Sequence, residues 1–224
     1  MHEFVERIKN LGFNPTNILD IGAYRGFWGE WIHSVFPSSK VTMVEPIRYP
    51  DLSRFDDNEN FSYINVLLDE RPQVRDWYSG RNTGDSIFKE RTLAYKNIGP
   101  VKKQSTTLDT EFENYFDSGP ELIKIDTQGS EISILKGGQK ILQNNEIIIM
   151  EMPFAGQYNE GAPQFSEYVS YMDHIGYAPL EIVQRHRLEE YEAGFFDLQV
   201  DFAFVKKGHE FLEKQQGVIT RKFG

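Results

Sequence analysis

Residues 17–26, NILDIGAYRG, are a short apolar run that reaches an aspartate and then two glycines. The run predicts a strand over 17–22, and GFWGEWIHSVF at 26–36 predicts a helix that ends before Pro37. A buried strand, a glycine turn and a helix are the repeating unit of an α/β sheet. Because ligands bind outside the carboxyl ends of the strands in such sheets, the residues that follow each strand are the candidate site residues.

The same alternation continues outward from this stretch. Further strands are predicted at 40–45, 61–68, 121–126, 146–151, 177–183 and 198–205, and further helices at 1–12, 130–142 and 164–176. The central strands are apolar runs rather than alternating ones, which is typical of parallel strands covered on both faces. The last two are joined without a helical pattern, so we expect them to pair antiparallel at one end of the sheet. The predicted fold is α/β, a doubly wound, mostly parallel seven-stranded sheet with an antiparallel terminal strand and helices on both faces.

Composition narrows the class of protein. The chain has 224 residues, of which 39% are hydrophobic, and this predicts a single domain at 1–208 with a loosely ordered tail at 209–224. A net charge of −10 argues against general nucleic-acid binding, and the absence of cysteine excludes disulfides, thiolate metal sites and cysteine nucleophiles. No apolar run is long enough to span a membrane, and the first residues lack the apolar core of a secretory signal, so a cytoplasmic protein is expected. The sequence contains no long apolar seam from which an oligomeric state could be predicted.

The turn after the first strand departs from the dinucleotide pattern G-x-G-x-x-G. Asp20 and Arg25 stand where that pattern needs glycine, and the later glycine is Gly26. A carboxylate at this position repels a pyrophosphate, but it suits the ammonium and sulfonium of S-adenosylmethionine. Gly22 and Gly26 would allow close approach of the backbone to a ligand. The alternative is a tight turn in which Asp20 only caps the helix.

Glu45 ends the second predicted strand. A carboxylate there can accept hydrogen bonds from both hydroxyls of a ribose, and the alternative is an exposed acid without a ligand. Because Asp20 and Glu45 end two successive strands, the pair favours an adenosyl cofactor that carries positive charge over NAD.

These residues, together with later blocks, resemble a known family. Asp20-Ile-Gly-Ala-x-x-Gly26 followed by Glu45 resembles the Class I methyltransferases. Thr107-Leu108-Asp109, LIKIDTQGSEISILKGG at 122–138 and DFAFV at 201–205 resemble the FkbM family of S-adenosylmethionine-dependent methyltransferases. The resemblance implies an O-methyltransferase that acts on a hydroxyl of a carbohydrate or glycosylated small molecule and releases S-adenosylhomocysteine.

The resemblance also implies the cofactor residues. The implied set is Asp20, Gly22, Ala23, Gly26, Glu45, Pro46, Asp69 and Asp126. Asp69 is assigned to the adenine, with Asn65 or Leu68 as alternatives.

The acceptor side is predicted from the later strand ends. Asp126 is a candidate acceptor of the hydroxyl proton, and its alternative role is to hold the methionine ammonium or to orient the loop. Glu151 ends the next strand, and two close carboxylates either raise one pKa or bind a divalent cation. The five histidines show no metal-binding spacing, so no metal site is predicted. His186 is the second candidate proton acceptor, with a solvated loop histidine as its alternative. Glu131 is expected to have a structural role at the helix start.

The segment 79–106 is basic in an acidic chain, with six lysines and arginines and two acids. It predicts a mobile loop at 79–86 and a cationic patch that attracts an anionic small-molecule or glycan acceptor, with Tyr95 stacking on a sugar. The alternative is a solvated basic loop. Three other functions compete with the main prediction: a NAD- or nucleotide-sugar-dependent enzyme on the same sheet, a non-catalytic binding module, and methylation of nitrogen or of a carboxylate.

Overall fold

The structure is a computed structural model that describes residues 1–113, 119–155, 159–187 and 196–223. The α-helices are α1 (His2–Asn10), α2 (Phe27–Val35), α3 (Leu108–Phe112), α4 (Glu131–Lys136), α5 (Phe165–His174) and α6 (Glu210–Phe223). The strands are β1 (Asn17–Ile21), β2 (Lys40–Val44), β3 (Phe61–Ile64), β4 (Leu67–Leu68), β5 (Val74–Trp77), β6 (Lys89–Glu90), β7 (Val101–Thr106), β8 (Leu122–Ile125), β9 (Ile147–Pro153), β10 (Asn159–Glu160), β11 (Tyr177–Arg187) and β12 (Asp197–Lys206). Among the helices described, none is both long and apolar enough to cross a bilayer.

Seven strands form the central sheet in the order β11-β12-β9-β8-β1-β2-β3. Neighbouring strands are parallel except around β12, which is antiparallel to both β9 and β11. This confirms the predicted fold. The antiparallel strand is the last along the chain, but it lies one position inside the edge of the sheet, because β11 occupies the edge.

The functional end of the sheet follows from its topology. From β1 the chain crosses to β2 and β3 on one side and later to β8 and β9 on the other, so the strand order reverses between β1 and β8. Ligands in doubly wound sheets bind in the crevice at such a point. The central strands are apolar because both faces of the sheet are covered: Leu19, Ile123 and Ile148 are fully buried in one core cluster, and Ile18 and Ile149 in another.

Several predicted elements have different bounds in the structure. The strand predicted at 61–68 is divided, because β3 ends before Asn65, whose side-chain amide donates to the Glu45 carbonyl at 2.7 Å. The next residues form β4 in a separate small sheet with β5 and β7. The helix predicted at 130–142 ends at Lys136, where a Cβ on Gly137 would lie 2.4 Å from the Asp69 carbonyl oxygen. The tail predicted to be loosely ordered is instead α6, which is attached to the core by the buried Phe211.

The basic segment 79–106 also differs from the prediction. It contributes β6 and β7, which pair with β10 and with β4 and β5, so the segment is largely built into sheets. Two of its lysines are engaged at separate places: Lys102 pairs with Asp76 at 2.6 Å, and Lys103 donates to the Pro46 carbonyl at 2.5 Å. Tyr95, predicted to stack on a sugar, is buried instead, and its hydroxyl donates to Asp85 at 2.6 Å.

Candidate functional site

A cavity lies at the carboxyl ends of β1, β2 and β8, where the topology predicts a ligand. Its empty space, counting the open mouth, is about 610 Å³. Among the described residues that line it, three are carboxylates (Glu45, Asp85 and Asp126), and none is lysine or arginine. The cavity is therefore suited to a ligand with positive charge, and it lacks the cationic surface expected for an anionic acceptor.

The turn after β1 brings the backbones of two strand ends into contact. Gly22 has a φ of +81°, and its N–H donates to the Val44 carbonyl at 2.9 Å. A Cβ at this position would lie 1.8 Å from the carbonyl oxygen of Asp126. Tyr24, two residues later, is a non-glycine residue with a φ of 51° and lines the cavity. The glycine is therefore required by the approach of β1 to β8 at the floor of the cavity.

Glu45 is a fixed acceptor inside the cavity. Its side chain is buried, with Oε2 accepting the Tyr24 N–H at 2.9 Å and Oε1 accepting the Ile47 N–H at 3.1 Å. Burial raises the pKa of Glu45 to about 7, although both backbone N–H groups favour the ionised form. The alternative of an exposed strand-end acid does not hold for this residue.

One wall of the cavity is apolar and is formed after β3. Leu67 and Leu68 line it together with Trp77 of β5. Asp69, predicted to contact adenine, does not line this wall. Its carboxylate is fully buried and accepts hydrogen bonds from the Ser133 hydroxyl and the Gln73 amide, so it joins α4 to the neighbouring chain. Leu68, the alternative in the prediction, is in the position to contact a flat apolar ring.

Asp20 lies beneath the cavity and does not line it. Its side chain is fully buried, and neither oxygen has a hydrogen bond of normal geometry, although the Gly29 N–H faces it. In the sheet its register partner is Lys124. Burial raises the pKa of Asp20 to about 6, and the Lys124 ammonium opposes this change. Side chains alternate along a strand, so Asp20 faces α2 while the next residue, Ile21, lines the cavity.

Two further predicted contacts also lie outside the cavity. A Cβ on Gly26 would meet Phe55, Leu52 and Met43 within 2.9 Å, so this glycine is needed for packing at the start of α2. Ala23 is buried, and its N–H donates to the Val44 carbonyl at 3.1 Å. Neither residue is among those that line the cavity.

A loop over residues 79–85 closes one side of the cavity and is organised by Asp85. The Asp85 carboxylate accepts hydrogen bonds from the Ser79 hydroxyl at 2.6 Å and from the backbone N–H of Gly80 at 2.7 Å. Asn82 and Asp85 both line the cavity. The predicted loop at 79–86 is therefore next to the cavity.

Asp126 lies at the other end of the cavity, where its two carboxylate oxygens are engaged. Oδ2 accepts from the Lys124 ammonium at 3.2 Å, and Oδ1 accepts from the Gln128 amide at 2.9 Å. Burial favours the neutral acid, but Lys124 and the hydrogen bonds hold the pKa of Asp126 below its ordinary value. The Gln128 amide also donates to Glu151 at 2.5 Å, so it joins the two strand-end acids.

Three neighbouring strands bring Glu151, His186 and Asp201 together beside Gln128. His186 Nε2 lies 3.0 Å from Asp201 Oδ2 and 4.0 Å from Glu151 Oε1. These atoms lie within 4.8 Å of one another, so they could serve as ligands to a metal. His186 is about one third exposed and is not a solvated loop residue, because it belongs to β11 and its ring contacts a buried acid.

The predicted site residues thus fall into three groups. Gly22, Glu45, Pro46 and Asp126 line one cavity, and Asp20, Ala23, Gly26 and Asp69 do not. His186 lies 4.0 Å from Glu151, which accepts from the cavity residue Gln128. The prediction missed other residues that line the cavity, among them Tyr24, Trp77, Asn82 and Asp85. Only the polar, glycine-rich composition of 79–86 indicated any of them. Glu131 is buried and accepts from the Tyr168 hydroxyl and the Thr127 N–H, in agreement with a structural role.

Solved structures share this architecture at low sequence identity. The chain is similar to a fibrillarin/Nop5p complex chain, with 10% identity and a TM-score of 0.51, over 91% of this chain and 80% of that one. It is also similar to a Burkholderia thailandensis 1,6-didemethyltoxoflavin-N1-methyltransferase with bound 1,6-didemethyltoxoflavin and S-adenosylhomocysteine (11% identity, TM-score 0.49, covering 90% and 76%). A precorrin-6y C5,15-methyltransferase from Geobacter metallireducens gives 13% identity and a TM-score of 0.48, covering 91% and 87%. At 10% identity the likeness to the fibrillarin/Nop5p chain shows the fold alone. The comparison with curated proteins gives no match.

The family comparison is more specific. Residues 20–179 match the family described as Methyltransferase FkbM domain. The matched range includes the turn after β1, Glu45 and the block at 122–138. The match confirms the predicted family, a methyltransferase, and with it S-adenosylmethionine as the cofactor. This chain belongs to the FkbM methyltransferase domain family.

Proposed function

We propose that the cavity binds S-adenosylmethionine with its ribose on Glu45, its adenine against Leu68 and its methionine end toward Gly22 and Asp126. The supporting observation is the charge of the cavity: its described lining contains three carboxylates and neither lysine nor arginine. A dinucleotide would place a diphosphate against these acids, so the same observation argues against NAD. Asp20 does not contact the cofactor in this arrangement. Its carboxylate lies beneath the cavity, where it interacts with the buried ammonium of Lys124.

The bound cofactor would supply a methyl group on a positively charged sulfur. The protein must then align the acceptor oxygen with that methyl group and exclude water. We propose a hydroxyl of a carbohydrate or glycosylated small molecule as the acceptor. Polar side chains near the acceptor end, Gln128, Glu151 and Gln199, support an acceptor rich in hydroxyl groups, because amides and carboxylates hydrogen-bond to them. The net charge of −10 supports a small-molecule acceptor over a nucleic acid.

The acceptor class is tested by product identification. The protein is incubated with labelled S-adenosylmethionine and three sets of acceptors: methyl glycosides of common hexoses, amino sugars and sugar acids. We expect methyl ethers on the hydroxyls of the neutral glycosides, located by mass spectrometry and NMR. Methylation confined to an amine or a carboxylate would contradict the proposed reaction.

Substitution of Glu45 by glutamine is expected to weaken cofactor binding. A hydrogen bond to a charged group contributes about 1.5–3 kcal/mol, so loss of the charge predicts roughly a tenfold to hundredfold increase in the Kd for S-adenosylhomocysteine. Isothermal titration calorimetry measures this change. Glu30→Gln is the matched control, because Glu30 is an exposed acid on α2 outside the cavity. Equal affinities for the two variants would remove Glu45 from the cofactor site.

The same carboxylate predicts a pH dependence of cofactor binding. Because burial raises the pKa of Glu45 to about 7, the free protein takes up a proton there as the pH falls below 7. If the ribose binds the ionised form, affinity is constant at high pH and falls by about tenfold for each pH unit well below the pKa. We expect the wild-type Kd to increase between pH 8 and pH 6 and the Glu45→Gln Kd to change less. A parallel change in both proteins would assign the pH dependence to another group.

A further inference from the structure

A second cavity lies between the loop after β8, the end of β9 and β10, next to the first cavity. Its empty space, counting the open mouth, is about 280 Å³, less than half that of the first cavity. Gln128 lines both cavities, and its side-chain amide nitrogen donates to Asp126 at 2.9 Å and to Glu151 at 2.5 Å. Asp126 lines the first cavity and Glu151 lines the second, so the two cavities meet at the Gln128 side chain.

Asn159 contributes a hydrogen-bond acceptor without a partner to the wall of the second cavity. The residue is 6% exposed, and its side-chain Nδ2 donates to the Gln128 carbonyl at 2.9 Å. Because a carbonyl oxygen only accepts, the amide presents its NH₂ group to that oxygen, and Oδ1 lies on the other side of the amide. Oδ1 is buried and has no hydrogen-bond partner in the described part of the chain. A buried acceptor that is left unpaired is costly, so a ligand with a hydrogen-bond donor would stabilise this site.

Backbone pairing holds Asn159 in position without a ligand. β10 pairs with β6, and Asn159 is opposite Glu90 in this ladder. The Gln128 carbonyl, to which Asn159 donates, also accepts from the Ser86 hydroxyl at 2.8 Å. Loss of the Asn159 side chain therefore leaves that carbonyl with a donor, and we expect the loop after β8 to keep its conformation.

The lining of the second cavity limits the chemistry of the group that can enter it. Its described residues include two acids, Glu131 and Glu151, and neither lysine nor arginine. Glu131 is already held by the Thr127 N–H and the Tyr168 hydroxyl. An ionised carboxylate or phosphate group would meet these acids and would offer no donor to Asn159 Oδ1. A neutral hydroxyl group offers a donor and carries no charge, so it fits both conditions.

We propose that Asn159 determines substrate specificity by accepting a hydrogen bond from a hydroxyl of the sugar substrate other than the one that is methylated. The inference rests on the proposed function, which puts the methionine end of the cofactor at Asp126, beside the Gln128 side chain where the cavities meet. The methylated hydroxyl lies on the side of the first cavity, and a neighbouring hydroxyl of the same sugar enters the second. The substrate class is therefore a neutral sugar with a free hydroxyl near the methylated one.

The test combines a change in the protein with a change in the substrate. The methyl glycoside with the highest turnover is compared with its monodeoxy and monodeoxyfluoro derivatives, because fluorine is close to a hydroxyl group in size but cannot donate. In the wild-type protein, removal of one particular hydroxyl should lower kcat/KM roughly tenfold to a hundredfold in both derivatives, because Asn159 Oδ1 is left unpaired. In Asn159→Ala, kcat/KM for the parent glycoside should fall by a similar factor, and the derivatives changed at that position should differ from it by less than about twofold.

Glu160→Ala is the matched control. Glu160 is the next residue of β10, its side chain is exposed, and it is not among the described residues that line the second cavity. This variant should discriminate between the parent glycoside and its derivatives as strongly as the wild-type protein. The Kd for S-adenosylhomocysteine should be unchanged in both variants, which also shows that they are folded.

Two results would overturn the role of Asn159 and leave the proposed function intact. The first is a wild-type protein that methylates every deoxy and deoxyfluoro derivative as efficiently as the parent glycoside. The second is an Asn159→Ala variant that loses the same factor in kcat/KM on the parent and on the derivatives, which would show that the residue only positions Gln128. A wild-type protein that binds no S-adenosylhomocysteine, or that methylates none of the glycosides, would refute the proposed function and this inference with it.

Discussion

Substitution of Gly22 by alanine is expected to abolish cofactor binding and to destabilise the fold. The new Cβ would lie 1.8 Å from the Asp126 carbonyl oxygen and 2.8 Å from its carbonyl carbon, and both atoms belong to backbone that cannot rotate away. Relief of the overlap must separate the ends of β1 and β8 at the floor of the cavity. No calorimetric heat of binding should be observed with S-adenosylhomocysteine.

The matched control is Gly12→Ala. Gly12 also has a positive φ, +100°, but a Cβ there meets nothing within 4 Å. Both variants carry the cost of left-handed backbone, about 1–3 kcal/mol, and only Gly22→Ala adds the overlap. We expect Gly22→Ala to lower the free energy of unfolding by about 2 kcal/mol more than the control in denaturant titrations. Equal stabilities, with cofactor affinity retained, would show that β1 and β8 are not in contact through this turn.

Substitution of Lys124 by methionine is expected to lower the free energy of unfolding substantially. The ammonium is buried among four acids, Asp20, Asp126, Glu151 and Asp201, and lies 3.2 Å from Asp126 Oδ2. Burial favours neutral lysine, but these acids raise its pKa above the ordinary value, so the charge is present. Removal of one partner of a buried ion pair typically costs about 3–5 kcal/mol, because an uncompensated charge remains.

The exposed pair of Lys102 and Asp76 provides the comparison. Its ammonium and carboxylate are 2.6 Å apart but face solvent, so Lys102→Met should cost less than about 1 kcal/mol. The loss in Lys124→Met should be larger at pH 8 than at pH 5, since the buried acids can take up protons at the lower pH and lose their charge. Denaturant unfolding at both pH values measures this. A loss that is small and independent of pH would mean that the acids are already neutral in the wild-type protein.

The sheet could be predicted from sequence because its central strands are distinctive. β1, β8 and β9 are mostly apolar strands, and nearly all of their residues are buried. The acids at 45 and 126 line the cavity because strand ends in a parallel sheet meet at one edge. Helical and strand periodicity was therefore sufficient to place these two side chains.

Side-chain direction at the strand ends was harder to predict. Asp20 and Asp69 are next in sequence to residues that line the cavity, but both side chains face away from it. The register with β8 determines the direction of Asp20, and the contact with α4 determines that of Asp69. Leu68, the neighbour of Asp69, lines the wall instead. A shift of one residue along an extended segment reverses the face, and composition does not distinguish the two cases.

The remaining residues of the site depend on tertiary contacts between short elements. β5 (VRDW) and β7 (VKKQST) are mostly charged or polar and give no continuous apolar signal, yet β5 carries Trp77 to the cavity. The loop around Asp85 is held by backbone N–H groups that converge on one carboxylate. Tyr24 adopts a positive φ that its residue type does not favour. Apart from the polar, glycine-rich composition of 79–86, none of these features has a local sequence signature.

A crystal structure of the chain with S-adenosylhomocysteine tests the cofactor site most directly. We expect the two ribose hydroxyls within hydrogen-bond distance of the Glu45 carboxylate, the adenine against Leu68, and the homocysteine end between Gly22 and Asp126. A nucleoside bound elsewhere, with Glu45 making no contact to the ribose, would contradict the assignment of this cavity.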